Sequence, residues 1–568
     1  MTRTPGDPDA ARVAKAAEDY WQLLAAHEPE IRSRAGLPVE RLPTRSHAEV
    51  TNRAARLRQI VEQVADLDRA QLSGADADTL NSLVFLTDSA SGEADHFWLT
   101  PAATPYQTYE LSRYRSTVFA AHHFASAFDV TRYLDLAAQY ARRFHALAAT
   151  LHGQRTRGIL IARPALGSAI STIKALRESA AETLNVNGAR LTELDIAAVG
   201  RLTGGIAHLL DREVVPAIER VLAIIDSADY ADRAPAGVGL SIYPGGEEAY
   251  RFMVRRDTSL DISPEELHRL GLEQCQQLGE RMSHIRSVLG FNVDEPEFRN
   301  ILKAQSHLYA SSPAEIEERY SSYMSQVEPL IGDYFSVLPS ARYGVTRMEE
   351  SLESGLTFGY YELPTPTQQL GRYRYNAANP AESSLLSAAA LIYHELVPGH
   401  HLQLARQLEN TELPPFRRYP LDFTAFIEGW AEYASGLGWE MGLYENPWDA
   451  YGRLSNERFT AARLALDTAL NCGWWTEEEA LAFMRRNMSE SETQLRSELL
   501  RYATDRPAQA LSYRTGFLAI TRMRAEAESR AGDNFKIREF HDAILSAGAL
   551  PLTALDSRLT RELWPFGR

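Results

Sequence analysis

Tyr393-His394-Glu395-Leu396-Val397-Pro398-Gly399-His400-His401-Leu402-Gln403 packs three histidines and a glutamate into eight residues, broken by Pro-Gly. Two metal-binding histidines usually stand one helical turn apart on a single face. Here the spacing is six or seven. On an unbroken helix His400 would lie about 240° round from His394, and His401 would be nearly in line but about 10 Å along the axis. Zinc–nitrogen bonds are about 2 Å, so neither pair can share an ion on a regular helix. Pro398 lacks an amide proton and collides with the carbonyl four residues back, that of His394. Gly399 then permits unusual backbone angles. The spacing predicts a bulge that returns His400 beside His394, with His401 as the alternative ligand or else a wall of the site. The competing reading is a kinked core helix with satisfied histidines. Upstream, Asn379-Pro380-Ala381-Glu382 has the cap and reach-back pattern of a helix start, so a helix is expected from Pro380 into the motif.

A catalytic zinc needs about three protein ligands and one open position. In Thr424-Ala425-Phe426-Ile427-Glu428-Gly429-Trp430-Ala431-Glu432-Tyr433, Glu428 stands in an apolar, aromatic run where an unpaired carboxylate is costly. It is the expected third ligand. Glu432, one turn later on the same face, is expected to bond a ligating histidine from behind, to exchange roles with Glu428, or to be solvated. Glu395 follows the first ligand on a different face and is the expected general base for water activated by the ion.

Around this motif the chain reads as mainly α: a large helical two-lobed body with a small β-sheet beside the active-site helix. Apolar residues recur at three-to-four spacing over residues 10–26, 46–67, 109–151, 191–226 and 263–288. Ser263-Pro264-Glu265-Glu266 is a helix start with cap, first-position proline and returning glutamate. Turn residues crowd 233–246, which sets the expected division into an N-terminal helical lobe, 1–235, and a C-terminal metallohydrolase lobe, 236–568, within one continuous family domain. Residues 355–363 (GLTFGYYEL) and 371–376 (GRYRYN) are the expected strands, the second as an edge able to take up an extended substrate, or both as a small structural hairpin.

These residues resemble the bacterial family catalogued as domain of unknown function 885, whose members carry His-Glu-x-x-Pro-Gly-His-His-x-Gln and are grouped with gluzincin-type zinc metallopeptidases. Further blocks share the resemblance: residues 243–250 (YPGGEEAY), 263–274 (SPEELHRLGLEQ), 428–431 (EGWA), 507–513 (PAQALSY) and 539–542 (EFHD). It covers about 240 to 560 well and the N-terminal part loosely. It implies a mostly helical fold and metallopeptidase-like hydrolysis, with His394, His400 and Glu428 as ligands, Glu395 as base and Tyr513 as a candidate donor to the oxyanion. One departure is Asn471, where the family pattern often has histidine. That change implies slower or altered chemistry if the histidine stabilises the transition state, although asparagine can still donate. His541, His122 and His123 are expected to be structural.

A net charge of −16 argues against a nucleic-acid partner. The two cysteines, Cys275 and Cys472, build neither a disulfide framework nor a thiolate metal site. No apolar stretch suits a membrane, and the N-terminus shows no signal pattern, so a cytoplasmic location is the expectation. The function expected is zinc-dependent hydrolysis of short peptides, with one Zn2+ per chain or another divalent metal in its place. Arg501, Arg506 and Arg514 are candidates to bind a free carboxylate, or else form a solvated helix face. The alternatives are an amide-cleaving or other tailoring enzyme in small-molecule biosynthesis, and a catalytically silent binding protein on the same fold.

Overall fold

The computed structural model describes residues 7–353, 359–365 and 369–563. It is mainly helical, with one small sheet. Where the local signals were strong the elements follow them. Ser263 Oγ accepts from Glu266 N, the Glu266 carboxylate accepts from Ser263 N, and the helix runs Pro264–Val288. Residues 109–151, by contrast, are not one helix. Pro105–Tyr114 runs into a π turn, Arg115–Phe119, the helix is interrupted, and a second helix, Ala127–Thr156, starts behind a Ser126–Asp129 capping box. That box satisfies the orphan amides of a new N-terminus, so periodicity alone overshoots it. His122 sits in the break: its Nε2 bonds Asp129 O at 2.9 Å and its ring packs on Phe124 and Tyr133. His123 is exposed.

The sheet comprises β1 (Arg342–Arg347), β2 (Tyr360–Glu362) and β3 (Leu370–Tyr375) in the order β1-β3-β2, with β1 parallel and β2 antiparallel to β3. Of the first expected strand, 355–358 lie outside the described residues. The second is central rather than an edge, because β1, which the sequence reading passed over, pairs with it. The Arg/Tyr alternation correctly marks two faces of β3: Gly371, Tyr373 and Tyr375 point inward, and Tyr320 meets both tyrosines edge-on. Alternation says which face is buried but not which partner lies alongside.

The largest apolar cluster gathers Ile392, Tyr393, Leu396, Leu402, Phe426, Trp430, Ile520 and Phe540 around the histidine motif. A second, around Tyr114, Tyr133, Phe144 and Ile218, belongs to the N-terminal half. A third joins the first helices (Val13, Tyr20, Leu57, Leu83) to Phe416, just beyond the motif. Asp78 binds Arg558 and Arg561, each at 2.6 Å, tying the chain's beginning to its end. Among the described residues no helix is long and apolar enough to cross a membrane.

His541 is a core group, as expected. Its Nε2 meets Tyr433 Oη at 2.9 Å, its Nδ1 meets Tyr334 O at 2.9 Å, and its ring stacks on Phe335. Burial pushes its pKa down to about 3. In the unfolded chain a histidine takes up its proton near about 6.5. Between those values the unfolded state binds the extra proton, so stability is whole above the unfolded value and falls as pH drops toward 3. The loss is at most about 1.4 kcal/mol per pH unit for this one group. Urea unfolding at pH 7, 6 and 5 is expected to show a shallower decline for His541→Gln than for wild type, although the variant starts less stable. Equal slopes would remove this assignment.

Candidate metal centre

The motif is two helices, not one. The first spans Ala388–Glu395 and the second His400–Glu409. The expected start at Pro380 is corrected: residues 379–383 form a turn, with Glu382 N and Ser383 N both donating to Asn379 O. The helix begins late because the segment before it lies on another backbone. Ser387 Oγ donates to Gly452 O, and Gly452, in the long helix Pro447–Asn471, leaves no room for a Cβ against the Leu386 carbonyl.

Between the two helices the ladder breaks as the proline requires. Leu396 N still reaches Ile392 O, and His401 N returns to Leu396 O at 3.0 Å. Gly399 lies on the His394 carbonyl so closely that any Cβ would overlap it. Trp430 Nε1 donates to Pro398 O at 3.1 Å, anchoring the break to the glutamate helix Thr424–Gly436. That helix crosses the tyrosine helix Leu511–Ala531 at Gly429 and Gly516, where a Cβ on either would strike the other's backbone. The crossing brings the segments that carry Glu428 and Tyr513 together, with Glu428 in electrostatic reach of the Tyr513 phenol. Phe423 immediately precedes the first of these helices and Ala508 stands three residues before the second, both at positive φ. Backbone in that region is costly for residues with a side chain and collects at functional sites. The Asp467 carboxylate accepts Ala508 N at 3.0 Å and holds it there.

His394, His400 and Glu428 converge, with one possible ligand atom of each inside a 4.8 Å cluster. Glu428 Oε2 stands 3.5 Å from His394 Nε2 and 3.4 Å from His400 Nε2. Two ligands each about 2.0–2.1 Å from a tetrahedral zinc are about 3.3 Å apart. Neither approach is a hydrogen bond, and Glu428 Oε2 is buried without a partner. A buried carboxylate oxygen with nothing to bind is expensive, and a cation between the three side chains would satisfy it. The donor set therefore fits a divalent ion.

Behind the histidine stands a second carboxylate. Glu432 Oε1 lies 3.0 Å from His394 Nδ1, though off the line of a good hydrogen bond. Asn456 Nδ2 donates to the same oxygen at 3.0 Å, and Arg453 Nη1 to Oε2 at 3.1 Å. Burial opposes charge on every group here. On Glu432 the Arg453 cation and His394 outweigh burial and bring its pKa down to about 2. On Glu428 the two imidazoles likewise hold the carboxyl below the usual range. Burial disfavours a charged His394, yet Glu428 and Glu432 raise it to about 10. The site demands positive charge, and a divalent ion would supply it in place of an imidazolium proton.

His401 is not brought to this point. Its Nδ1 meets Tyr361 Oη at 2.8 Å and its Nε2 meets Ala341 O at 3.0 Å, so both nitrogens are occupied in docking the sheet. Glu395 is partly open; burial raises its carboxyl, against the pull of His400 and His394. The Tyr513 ring lies 6.3 Å from the His394 ring, nearly parallel. Asn471 is remote: it is fifteen residues, about 22 Å of helix, beyond Asn456. Its amide donates to Asp467 O and Tyr502 O, and its Oδ1 accepts Leu240 N. Sequence reasoning missed Arg453 and Asn456. The available signal was a set of charged residues, Arg453, Glu457, Arg463 and Asp467, inside an alanine- and leucine-rich helix, since buried charges need partners.

The model of the family described as "Bacterial protein of unknown function (DUF885)" matches residues 29–559. None of the curated proteins matches the chain. Among solved structures, a "putative lipoprotein" from Colwellia psychrerythraea is similar at TM-score 0.87 and 23% identity, over 98% of this chain and 99% of that one. A "putative lipoprotein of unknown function" from Shewanella oneidensis is similar at TM-score 0.69 and 17% identity, over 97% and 99%. At these identities the likeness is one of fold. The expectation of a cytoplasmic location is corrected by these two neighbours: both are described as lipoproteins, which a cytoplasmic default does not accommodate. A signal pattern missing from the first residues was too weak a ground for it.

Elemental analysis of protein purified without chelator is expected to find about one divalent metal per chain. His394→Ala, His400→Ala and Glu428→Gln should bring that near zero, and His401→Ala should leave it. Glu432→Gln should weaken affinity by roughly 10–100-fold. Full metal retention in His400→Ala would sink the three-ligand assignment.

Proposed function

The chain belongs to the DUF885 family of bacterial proteins, and from its site we propose that it is a metal-dependent hydrolase of peptide or amide bonds in short substrates. The observation that carries this reading is the buried, unpartnered Glu428 Oε2 facing two imidazole nitrogens at metal-ligand separations, with a glutamate directly after the first histidine. The ion we assign is zinc, held by His394 Nε2, His400 Nε2 and Glu428. A zinc bound there would supply Lewis acidity and a water acidic enough to lose its proton near neutral pH.

The chain's own residues supply the rest. Glu432 faces His394 Nδ1 and is itself fixed by Arg453 and Asn456, which keeps the proton on Nδ1 and the Nε2 lone pair free. Glu395 accepts the proton of the attacking water on a carboxylate oxygen and passes it to the leaving amine. Burial raises its carboxyl, which makes it a better acceptor than a solvated glutamate. Burial also pushes the Tyr513 phenol up to about 12, so it stays protonated and can donate to an oxyanion. Asn471 takes no part, and its exchange for histidine gives no ground for altered chemistry here.

A screen of dipeptides, blocked peptides and simple amides should find a hydrolysed substrate. Glu395→Gln is expected to retain metal and lose about 10²–10⁴-fold in kcat. Tyr513→Phe is expected to lose about 10²-fold with little change in KM. If Glu395→Gln turns substrate over as fast as wild type, the assigned base is wrong.

A further inference from the structure

We infer that Arg463 reads a free carboxylate on the substrate, next to the bond that is cut. This rests on the hydrolase reading above and names its substrate class. Arg463 lies on the long helix, two turns beyond Asn456. Its guanidinium carbon is 4.7 Å from the centre of the Tyr513 ring and 4.3 Å from that of Phe459. Tyr513 in turn lies against His394. The cation is therefore one aromatic ring away from a metal ligand. These separations put the guanidinium carbon at most about 11 Å from the His394 ring centre; an arginine–carboxylate contact takes up about 4 Å of that and an extended residue about 3.3–3.6 Å more, which leaves the scissile bond beside the histidine.

The group is only partly used. Nε donates to Tyr502 Oη at 2.9 Å and Nη2 to Glu498 Oε2 at 3.0 Å. Nη1 bonds no described residue and is not fully enclosed, so it is the nitrogen left open to a ligand. Arg501 draws on the same carboxylate, Nη1 to Glu498 Oε1 at 3.2 Å, and its Nε is buried without a partner. Two guanidinium groups thus share one glutamate. The other carboxylate facing Arg463, Glu490, makes no ion pair with it among the described residues and keeps Oε2 buried and unbonded. Two buried cations paired with a single glutamate can take a second anion, and a substrate carboxylate would supply it. Stacking between two rings fixes the guanidinium plane in advance, so little freedom is lost on binding. The arginines expected from sequence divide differently. Arg514 is spent on Glu457 and Gln274, Arg506 is exposed, and only Arg501 reaches this pocket.

The test is calorimetric binding of N-acetyl amino acids and their carboxamides to the full chain, both zinc-loaded and chelator-stripped. Wild type is expected to prefer acids over amides by tenfold or more in both forms, about a 1.4 kcal/mol difference. Arg463→Gln should erase the preference and leave amide binding unchanged. Arg463→Lys should keep part of it, which guards against a folding defect in the first variant. Equal binding of acid and amide by stripped wild type overturns the inference. So does a preference that survives in Arg463→Gln, or no acid binding at millimolar concentration. A parallel assay of free and amidated peptides separates the two readings. Equal turnover of both leaves the hydrolase and removes the carboxylate site. An acid preference in binding with no turnover of any peptide does the reverse.

Discussion

A side chain at position 399 has nowhere to go, because the backbone there rests on the carbonyl of His394. That contact turns a sequence spacing unsuited to any helix into a pair of imidazoles whose ring centres are 4.7 Å apart and nearly perpendicular. Pro398 ends the first helix by withholding a donor, but it does not say where the chain goes next. The direction comes from packing. Trp430 binds the Pro398 carbonyl, and the first turn of the second helix is tied back to Leu396. The interruption is thus clamped on both sides by the apolar core and the glutamate helix, and His400 arrives where it is needed without a loop that could wander.

The charges behind the histidines form a column of alternating sign. His394 meets Glu432, Glu432 meets Arg453, Arg453 meets Glu457 at 3.2 Å, and Glu457 meets Arg514 at 3.3 Å. Every member beyond His394 is at least nine-tenths buried, and Arg453 is wholly so. Such a column gains little over a well-packed apolar one, since desolvation roughly cancels the Coulomb attraction. Removing one member is another matter: it strands a buried charge at a cost of about 3–5 kcal/mol. The column is therefore best understood as a positioning device. It fixes the tautomer and aim of one imidazole, and the stability of the fold enforces that geometry.

How much of this could be read from the chain depends on how local each cause is. Ser263 to Glu266, Pro398-Gly399 and the apolar run around Glu428 act through neighbours within one turn, and each was legible. The start of the first motif helix was not, because Asn379 has good cap chemistry and the decisive contact is Gly452 against Leu386, far along the chain. The sheet order was hidden for the same reason: β3 reads as an edge until β1 lies beside it. Arg453, Asn456 and Arg463 were passed over because a charged residue on a helix is ordinarily solvated. Only three-dimensional packing shows that this helix has no solvated face there.

The N-terminal half bears on the site through one short helix. Pro105–Tyr114 has its first turn capped from outside: Asp505 accepts Tyr106 N at 3.0 Å and the Thr104 hydroxyl, and Gln107 returns to the Asp505 carbonyl. Asp505 belongs to the π turn Arg501–Asp505, which also carries Arg501, and the Arg501 guanidinium lies over the Tyr106 ring. Farther along the same helix, Arg113 comes within electrostatic reach of Tyr360 on β2, the residue beside the tyrosine that holds His401. The helix therefore links the turn that carries Arg501 to the sheet that docks His401. Residues before 236 thus reach both the turn that carries Arg501 and the strand that holds His401.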